Sequence, residues 1–166
     1  MAEAANRLAE ARDISRERQN DWAVSSHAKA LKAGSRIEAE IANPPGSDVE
    51  RDPFTRALTA GVCARAPKIA GSITSANTSV AADGAAFLLV VSREVKEALK
   101  PGFALEILAG KTLGGDPALP GGAPVEAIQT VLAQRGLNAA DLDVVELMEA
   151  YAAQAIACAE GAGLAP

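Results

Sequence analysis

The feature that most constrains this chain is an uninterrupted apolar run at residues 85–91. A run without polar alternation is typical of a strand that is buried on both faces. Ser92 follows the run as a helix cap, and the charged residues after it predict a helix that ends near Pro101 and Gly102. The sequence therefore predicts a strand that is covered by layers on both sides.

Strand and helix candidates continue to alternate downstream of this run. Two more strands are expected at residues 103–108 and 142–147, and two more helices at residues 124–135 and 149–159. Pro124 in the first turn and Gly136 past the last turn support the first of these two helices. The alternation favours an α/β layered fold.

The region before residue 71 has a different, mainly helical pattern. Small apolar residues at helical spacing predict a first helix, and Ser15 is a suitable N-cap for a second helix that Gly34 would end. Residues 37–41 are expected to form a short extended piece. Residues 49–70 are polar and contain prolines, so we expect irregular structure with one helical turn.

The charge balance and the apolar pattern argue against several classes of function. The chain has 16 basic and 21 acidic residues and a formal net charge of −5, whereas a nucleic-acid surface needs clustered cations. No apolar stretch approaches the roughly 20 residues that cross a bilayer, and the first residues do not resemble a signal peptide. We therefore expect no nucleic acid and no membrane among the partners.

The cysteine and histidine content limits metal and redox chemistry. Cys63 and Cys158 are too few for a disulfide framework, and with His27 as the only histidine they do not make a metal site. We therefore expect no metal and a reducing, cytoplasmic location.

Three segments, taken together, resemble one protein family. Residues 73–86 are ITSANTSVAADGAA and resemble the thiolase pattern T-[AV]-[AG]-N-[AS]-S-x-x-x-D-G-A-[AS]. Residues 141–154 are DLDVVELMEAYAAQ and resemble the thiolase pattern D-[IL]-D-x-[IV]-E-x-[NH]-E-A-F-A-[AG]-Q. Residues 14–27 begin ISRERQN, end in SH and resemble a helix of the thiolase lid region. Because the segments occur in the family's order, the resemblance covers nearly the whole chain.

The resemblance implies a partial thiolase-like α/β fold, with strand–helix alternation in residues 84–163 after a mainly helical lid segment. Residues 1–70 would be a portion of the lid, or loop, domain. Residues 71–166 would be the first part of the C-terminal half of the core. The chain would then be an internal segment, without the N-terminal half and without the family's glycine-rich G-H-P segment.

The resemblance also implies an activity. Thiolases carry out thiolysis or Claisen condensation of acyl-CoA thioesters, with coenzyme A as a substrate and no tightly bound cofactor. The family's nucleophilic cysteine, its histidine and its second cysteine lie in segments that the resemblance does not cover. We therefore expect either a partner chain that supplies those segments or a homo-oligomer. The alternative is a catalytically dead thiolase-like module that binds coenzyme A or another protein.

Two neighbouring residues are the catalytic candidates that the resemblance implies. Met148 stands where thiolases have Asn or His, whose side chain orients a donor at the thioester oxygen. Methionine has no hydrogen-bond donor, so this contribution is missing at Met148. Glu149 is retained, and it either positions groups at the active site or complements the N-terminus of the following helix.

Three further residues are candidates for binding coenzyme A. By resemblance, Asn77 and Ser79 match positions near the pantetheine arm and the catalytic cavity, and Arg65 falls near a basic lid residue that meets the nucleotide end. For each of them, a role in positioning the local loop is the alternative.

The cysteines and the histidine each have a functional and a structural interpretation. Arg65 near Cys63 would favour a thiolate, but a small buried side chain is the simpler interpretation of Cys63 and of Cys158. His27 would be a base only beside a cysteine or a carboxylate, and the sequence places neither there. A surface or capping role for His27 is therefore expected.

Overall fold

The computed structural model describes residues 1–164 and consists mainly of helices. The helices are α1 Ala2–Ala11, α2 Arg16–Lys32, α3 Gly34–Ala39, α4 Ala60–Arg65, α5 Arg93–Leu99, α6 Ala123–Arg135 and α7 Ala152–Ala162. The strands are β1 Lys68–Ala70 and β2 Ile73–Thr74, and single 3-10 turns span Pro120–Gly122 and Ala139–Asp141.

Several helix boundaries follow from local capping chemistry. The Ser15 hydroxyl accepts a hydrogen bond from the Arg18 amide at the start of α2, and the Ser92 hydroxyl accepts one from the Val95 amide at the start of α5. Gly136 ends α6 in the left-handed conformation, with φ 66°. These three boundaries confirm the capping predictions made from the sequence.

Helix α7 forms the centre of the core. It packs against α1, α2 and α6, and nearly all of its residues are buried, as the apolar pattern of residues 150–159 indicates. Small side chains allow this close approach: a Cβ atom added at Gly161 would lie 2.9 Å from the Val125 side chain. Arg18 of α2 and Glu160 of α7 form an ion pair at the edge of this contact.

The β structure is short and lies beside the helical core. Strands β1 and β2 pair antiparallel, and Thr78 forms an isolated antiparallel bridge with Tyr151. Around this bridge the Ser79 amide donates to the Ala150 carbonyl over 3.1 Å, and the Ala152 amide donates to the Asn77 carbonyl over 3.0 Å. Residues 77–79 are thereby fixed against residues 150–152.

The structure differs from the sequence-based expectation at the three longer strands. Residues 85–91, 103–108 and 142–147 form no β-ladder within residues 1–164, and the Phe87 side chain is 95% exposed. A strand exists only where a neighbouring backbone lies within hydrogen-bonding reach. An apolar run predicts a buried environment, but it does not supply the neighbouring strand.

The expectation of an extended segment at residues 37–41 is also wrong. Residues 37–39 belong to α3, and the Ile37 amide donates to the Ala33 carbonyl over 3.0 Å. The helix resumes after the break at Ala33, because local hydrogen bonds are available there without any partner strand.

The core combines residues from both sides of residue 70. Buried residues of α1 and of α7 share one apolar cluster with Ile14 and Ile73. The division of the chain into residues 1–70 and 71–166 stays a prediction. None of the helices in residues 1–164 has both the length and the apolar composition needed to cross a bilayer.

The exposed apolar segment 85–91 predicts that the chain self-associates. The weight-average sedimentation coefficient should rise with protein concentration, because exposed apolar surface gains about 25 cal/mol per Å² when it is buried. Replacing two exposed side chains of the segment, Phe87→Lys with Leu89→Lys, should reduce this rise in sedimentation velocity.

Val49→Lys with Ile69→Lys is the matched control, since it adds the same two charges at other exposed apolar residues. It should leave the concentration dependence unchanged. A sedimentation coefficient of the unmodified chain that stays constant over the whole concentration range would contradict the prediction.

Candidate functional site

A cleft of about 230 Å³ opens between α2 and three non-helical segments. Its walls are the cleft-facing side of α2, a turn at residues 52–56, the segment 75–80 that follows β2, and residues 149–152 at the start of α7. All three segments that carry the family resemblance therefore meet in one cleft.

Asn77 fixes the floor of this cleft. Its side-chain oxygen accepts a hydrogen bond from the Thr74 amide over 2.8 Å, and its side-chain nitrogen donates to the Ser72 carbonyl over 3.2 Å. Asn77 is only 3% exposed. Its amide group is thus engaged within the loop, which supports the loop-positioning interpretation of Asn77.

Ser79 lies at the exposed edge of the cleft. Its backbone amide is held by the Ala150 carbonyl, so the residue has a fixed position next to the Glu149 segment. Because Ser79 is exposed, its hydroxyl is accessible to a ligand in the cleft.

Glu149 lines the cleft beside Ser79 and is held by α2. The Ser26 hydroxyl donates to one Glu149 carboxylate oxygen over 2.8 Å. The Ala150 amide next to Glu149 donates to the Gln154 side chain over 3.1 Å. Glu149 also precedes α7, so it is compatible with both roles expected from the sequence, in the cleft and at the helix N-terminus.

Met148 does not lie in the cleft. Met148 is 82% exposed, and it is not among the residues that line the cleft. The structure thus separates the two catalytic candidates, since Glu149 lines the cleft and Met148 does not.

Arg65 is likewise outside the cleft lining. It lies at the end of α4 and is exposed. The cleft instead contains Arg56, which the sequence analysis did not single out. Arg56 belongs to a polar stretch without periodicity, so no sequence pattern identifies it.

His27 lies in the cleft wall and is half-buried, a position that is compatible with the capping role expected from the sequence. Its ring nitrogen Nδ1 accepts a hydrogen bond from the Arg56 backbone amide over 3.4 Å. The cleft-lining residues of α2 are Trp22, Ala23, Ser26 and His27. This spacing is that of one helix face, and it is the sequence signal that would have placed His27 beside Ser26.

Burial sets the charge state of His27. Loss of hydration lowers the pKa of His27 from 6.5, and the nearby Arg56 guanidinium lowers it further. The carboxylates of Asp52 and Glu149 act in the opposite direction, but the net effect is a lowered pKa. His27 is therefore a neutral hydrogen-bonding group at neutral pH.

Both cysteines are core residues. Cys63 is fully buried with Ala23, Leu58 and Ala76, and burial raises the pKa of its thiol. The Cys158 thiol donates to the Gly121 carbonyl over 3.2 Å, and burial also raises its pKa. A raised pKa disfavours the reactive thiolate, so the structural interpretation fits both residues.

The cleft therefore offers hydrogen bonds rather than a nucleophile. Hydroxyl groups, a neutral imidazole, two carboxylates and a guanidinium group line it together with the Trp22 and Phe54 rings. Such a lining suits a ligand that combines polar groups with apolar parts. Within residues 1–164, three or more potential metal ligands do not converge at any point.

Two family models match the chain. The model described as "Thiolase, N-terminal domain" matches residues 1–94, and the model described as "Thiolase, C-terminal domain" matches residues 103–166.

Curated relatives show the same similarity. The chain is 34% identical to 3-ketoacyl-CoA thiolases of Vibrio cholerae and of Shewanella sp., over 99% of its own length. It spans 46% of the length of these relatives.

Solved structures of thiolases superimpose on the whole described fold. The dimeric peroxisomal thiolase of Saccharomyces cerevisiae matches with a TM-score of 0.85 and 32% identity, over 99% of this chain and 44% of that chain. Human mitochondrial 3-ketoacyl-CoA thiolase matches with a TM-score of 0.84 and 28% identity, over 99% and 44% of the respective chains. The partial α/β fold expected from the sequence is therefore confirmed.

The hydrogen bonds of Asn77 predict that the cleft floor depends on this side chain. Asn77→Ala should lower the free energy of unfolding by about 1–3 kcal/mol, because it leaves a buried amide and a buried carbonyl without partners. Urea unfolding followed by circular dichroism measures the change. Asn43→Ala, in an exposed turn, is the control and should lower the free energy of unfolding by less than about 1 kcal/mol. Equal costs for the two variants would show that the Asn77 bonds do not hold the floor.

Proposed function

Because this chain belongs to the thiolase family, we propose that it is part of an acyltransferase that acts on acyl-CoA thioesters by thiolysis or Claisen condensation. The observation that carries this proposal is the pairing of residues 77–79 with residues 150–152. It brings Ser79 and Glu149, one from each of two thiolase-like segments, to the same cleft.

The cleft lining fits the arm of a CoA thioester. The pantetheine arm carries amide groups joined by apolar carbons, and the cleft combines Ser79 and His27 with the Trp22 ring. In this proposal the Ser79 hydroxyl binds an amide of the arm, and Asn77 holds the loop that carries Ser79. Arg56 supplies a positive charge at the cleft that favours the phosphate groups of coenzyme A.

Arg65 does not line the cleft, so we propose that it contacts coenzyme A outside the cleft. Its exposed position at the end of α4 suits a contact with the nucleotide end of coenzyme A. Coenzyme A is a substrate in this proposal, and no tightly bound cofactor takes part.

Glu149 is the residue to which we assign a role in positioning the reacting group. Its carboxylate is fixed by Ser26, so it presents one orientation to a ligand in the cleft. A fixed hydrogen-bonding group is more effective than a mobile one, because its orientation does not have to be restricted during the reaction.

Met148 favours a second candidate function, a thiolase-like module that binds coenzyme A or a protein without catalysis. The family's donor at this position would be worth about 3–4 kcal/mol in the transition state. Met148 has no donor and does not line the cleft. A chain with this residue binds a thioester without stabilising the oxyanion from this position.

The assembly and the cellular location of the chain are also part of the proposal. The solved yeast thiolase is described as dimeric, and we propose either a homo-oligomer or an association with a chain that supplies further thiolase segments. Both cysteines are free and buried, which suits the reducing environment of the cytoplasm.

Coenzyme A binding to the cleft is the first prediction of this proposal. Isothermal titration calorimetry of the chain with coenzyme A should give saturable binding. Ser79→Ala should weaken it about two- to tenfold, the worth of one hydrogen bond. Ser25→Ala, at an exposed residue of α2 beside the cleft, should leave the dissociation constant unchanged.

The outcomes separate three cases. Absence of binding would contradict the proposal for this chain, and binding that Ser79→Ala does not weaken would place coenzyme A elsewhere. If binding is found, acetoacetyl-CoA and coenzyme A are added to the complex that co-purifies with the chain. Formation of acetyl-CoA by that complex supports the acyltransferase, and binding without turnover by the complex supports the module.

A further inference from the structure

The hydrogen bond between His27 and Arg56 requires a particular state of the imidazole ring. The Arg56 backbone amide donates to Nδ1 over 3.4 Å, so Nδ1 acts as the acceptor. Only a neutral ring has an acceptor nitrogen, and its proton must then lie on Nε2. One protonation state and one tautomer of His27 are therefore compatible with the closed cleft wall.

The turn at residues 52–56 is compact and is tied to α2 at one point. Asp52 accepts hydrogen bonds from the Phe54 amide over 2.8 Å and from the Thr55 hydroxyl over 2.9 Å, so the turn is fixed internally. Within residues 1–164, its hydrogen bond to the rest of the protein is the one at His27. Leu58, just after the turn, is buried and anchors its downstream end.

The charged groups around His27 come from two walls of the cleft. Asp52 and Arg56 belong to the turn itself, and Glu149 faces His27 from the segment before α7. The other two walls, the cleft face of α2 and residues 75–80, contribute uncharged side chains. Burial and Arg56 outweigh the two carboxylates, and the pKa of His27 is lowered as a result.

We propose that His27 is a proton-sensitive latch that holds residues 52–56 against α2 and thereby forms one wall of the cleft. When the ring takes up a second proton, Nδ1 becomes a donor and faces the Arg56 amide, which is also a donor. The hydrogen bond is then lost, and the turn that carries Phe54 and Arg56 leaves the cleft. His27 is in this way a positioning residue for the ligand site.

The direction of the pH dependence follows from the lowered pKa. Above 6.5, the ordinary value, His27 is neutral in both the folded and the unfolded chain, and the latch is complete. As the pH falls through the lower pKa of the folded chain, the ring becomes charged and the latch opens. The contribution of the latch to stability is therefore present above pH 6.5 and lost on acidification.

The latch can be tested directly because His27 is the only histidine. In nitrogen-15 NMR of the chain, the two ring nitrogens give a single pair of signals that report the tautomer. We expect Nδ1 to be unprotonated at pH 7.5. We also expect hydrogen exchange at the Arg56 amide, corrected for intrinsic rates, to become about two- to tenfold faster as the ring is protonated.

Two variants separate the latch from general damage to α2. His27→Asn keeps an oxygen acceptor near the place of Nδ1 but does not titrate, so protection of the Arg56 amide should become independent of pH. His27→Ala should abolish that protection at every pH, whereas Ser25→Ala should behave like the unmodified chain. A proton on Nδ1 at pH 7.5, or Arg56 exchange that does not follow the His27 titration, would overturn the proposal.

Ligand binding gives a second readout, which rests on the proposed function. The affinity for coenzyme A should fall as His27 is protonated, and His27→Asn should remove this dependence on pH in the same range. If the NMR results hold but coenzyme A does not bind, the latch stands and the proposed function fails. If coenzyme A binds with the same pH dependence in the unmodified chain and in His27→Asn, the latch does not control the ligand site.

Discussion

The pairing of residues 77–79 with residues 150–152 is the contact on which the rest of the site depends. These few backbone hydrogen bonds join the end of the β2 segment to the beginning of α7, the most buried helix. Because α7 is packed on several sides, the paired segment has little freedom to move. The backbone position of Ser79 relative to Glu149 is thus determined by the packing of α7, and the side-chain bonds of Asn77 and Ser26 add to it.

Local chemistry explains which parts of the fold the sequence could predict. Ser15 and Ser92 accept hydrogen bonds from amides three residues later, so the starts of α2 and α5 are determined within one turn. The burial of α7 also follows from its composition. In contrast, strand pairing depends on distant segments: residues 85–91 have the apolar pattern of a strand, but their ladder depends on neighbours that the pattern does not identify.

The same distinction applies to the site: sequence patterns identify residues that local structure places there, but not residues that a distant segment brings in. The motif segments placed Ser79 and Glu149 in one region, and the helical spacing of Ser26 and His27 contains the information that both face the cleft. Arg56 could not be predicted, because it enters the cleft through an irregular turn. The amide of Arg56, rather than its side chain, makes the contact with His27, and no residue-type pattern reports a backbone contact.

Met148 and Glu149 are adjacent, but their surroundings differ. Ser26 holds Glu149 in the cleft, while Met148 is almost fully exposed and does not line the cleft. In the proposed function, loss of the family's donor and retention of Glu149 are compatible, because the contact that holds Glu149 comes from α2 and not from its neighbour. Positioning by Glu149 would then be separable from oxyanion stabilisation at position 148.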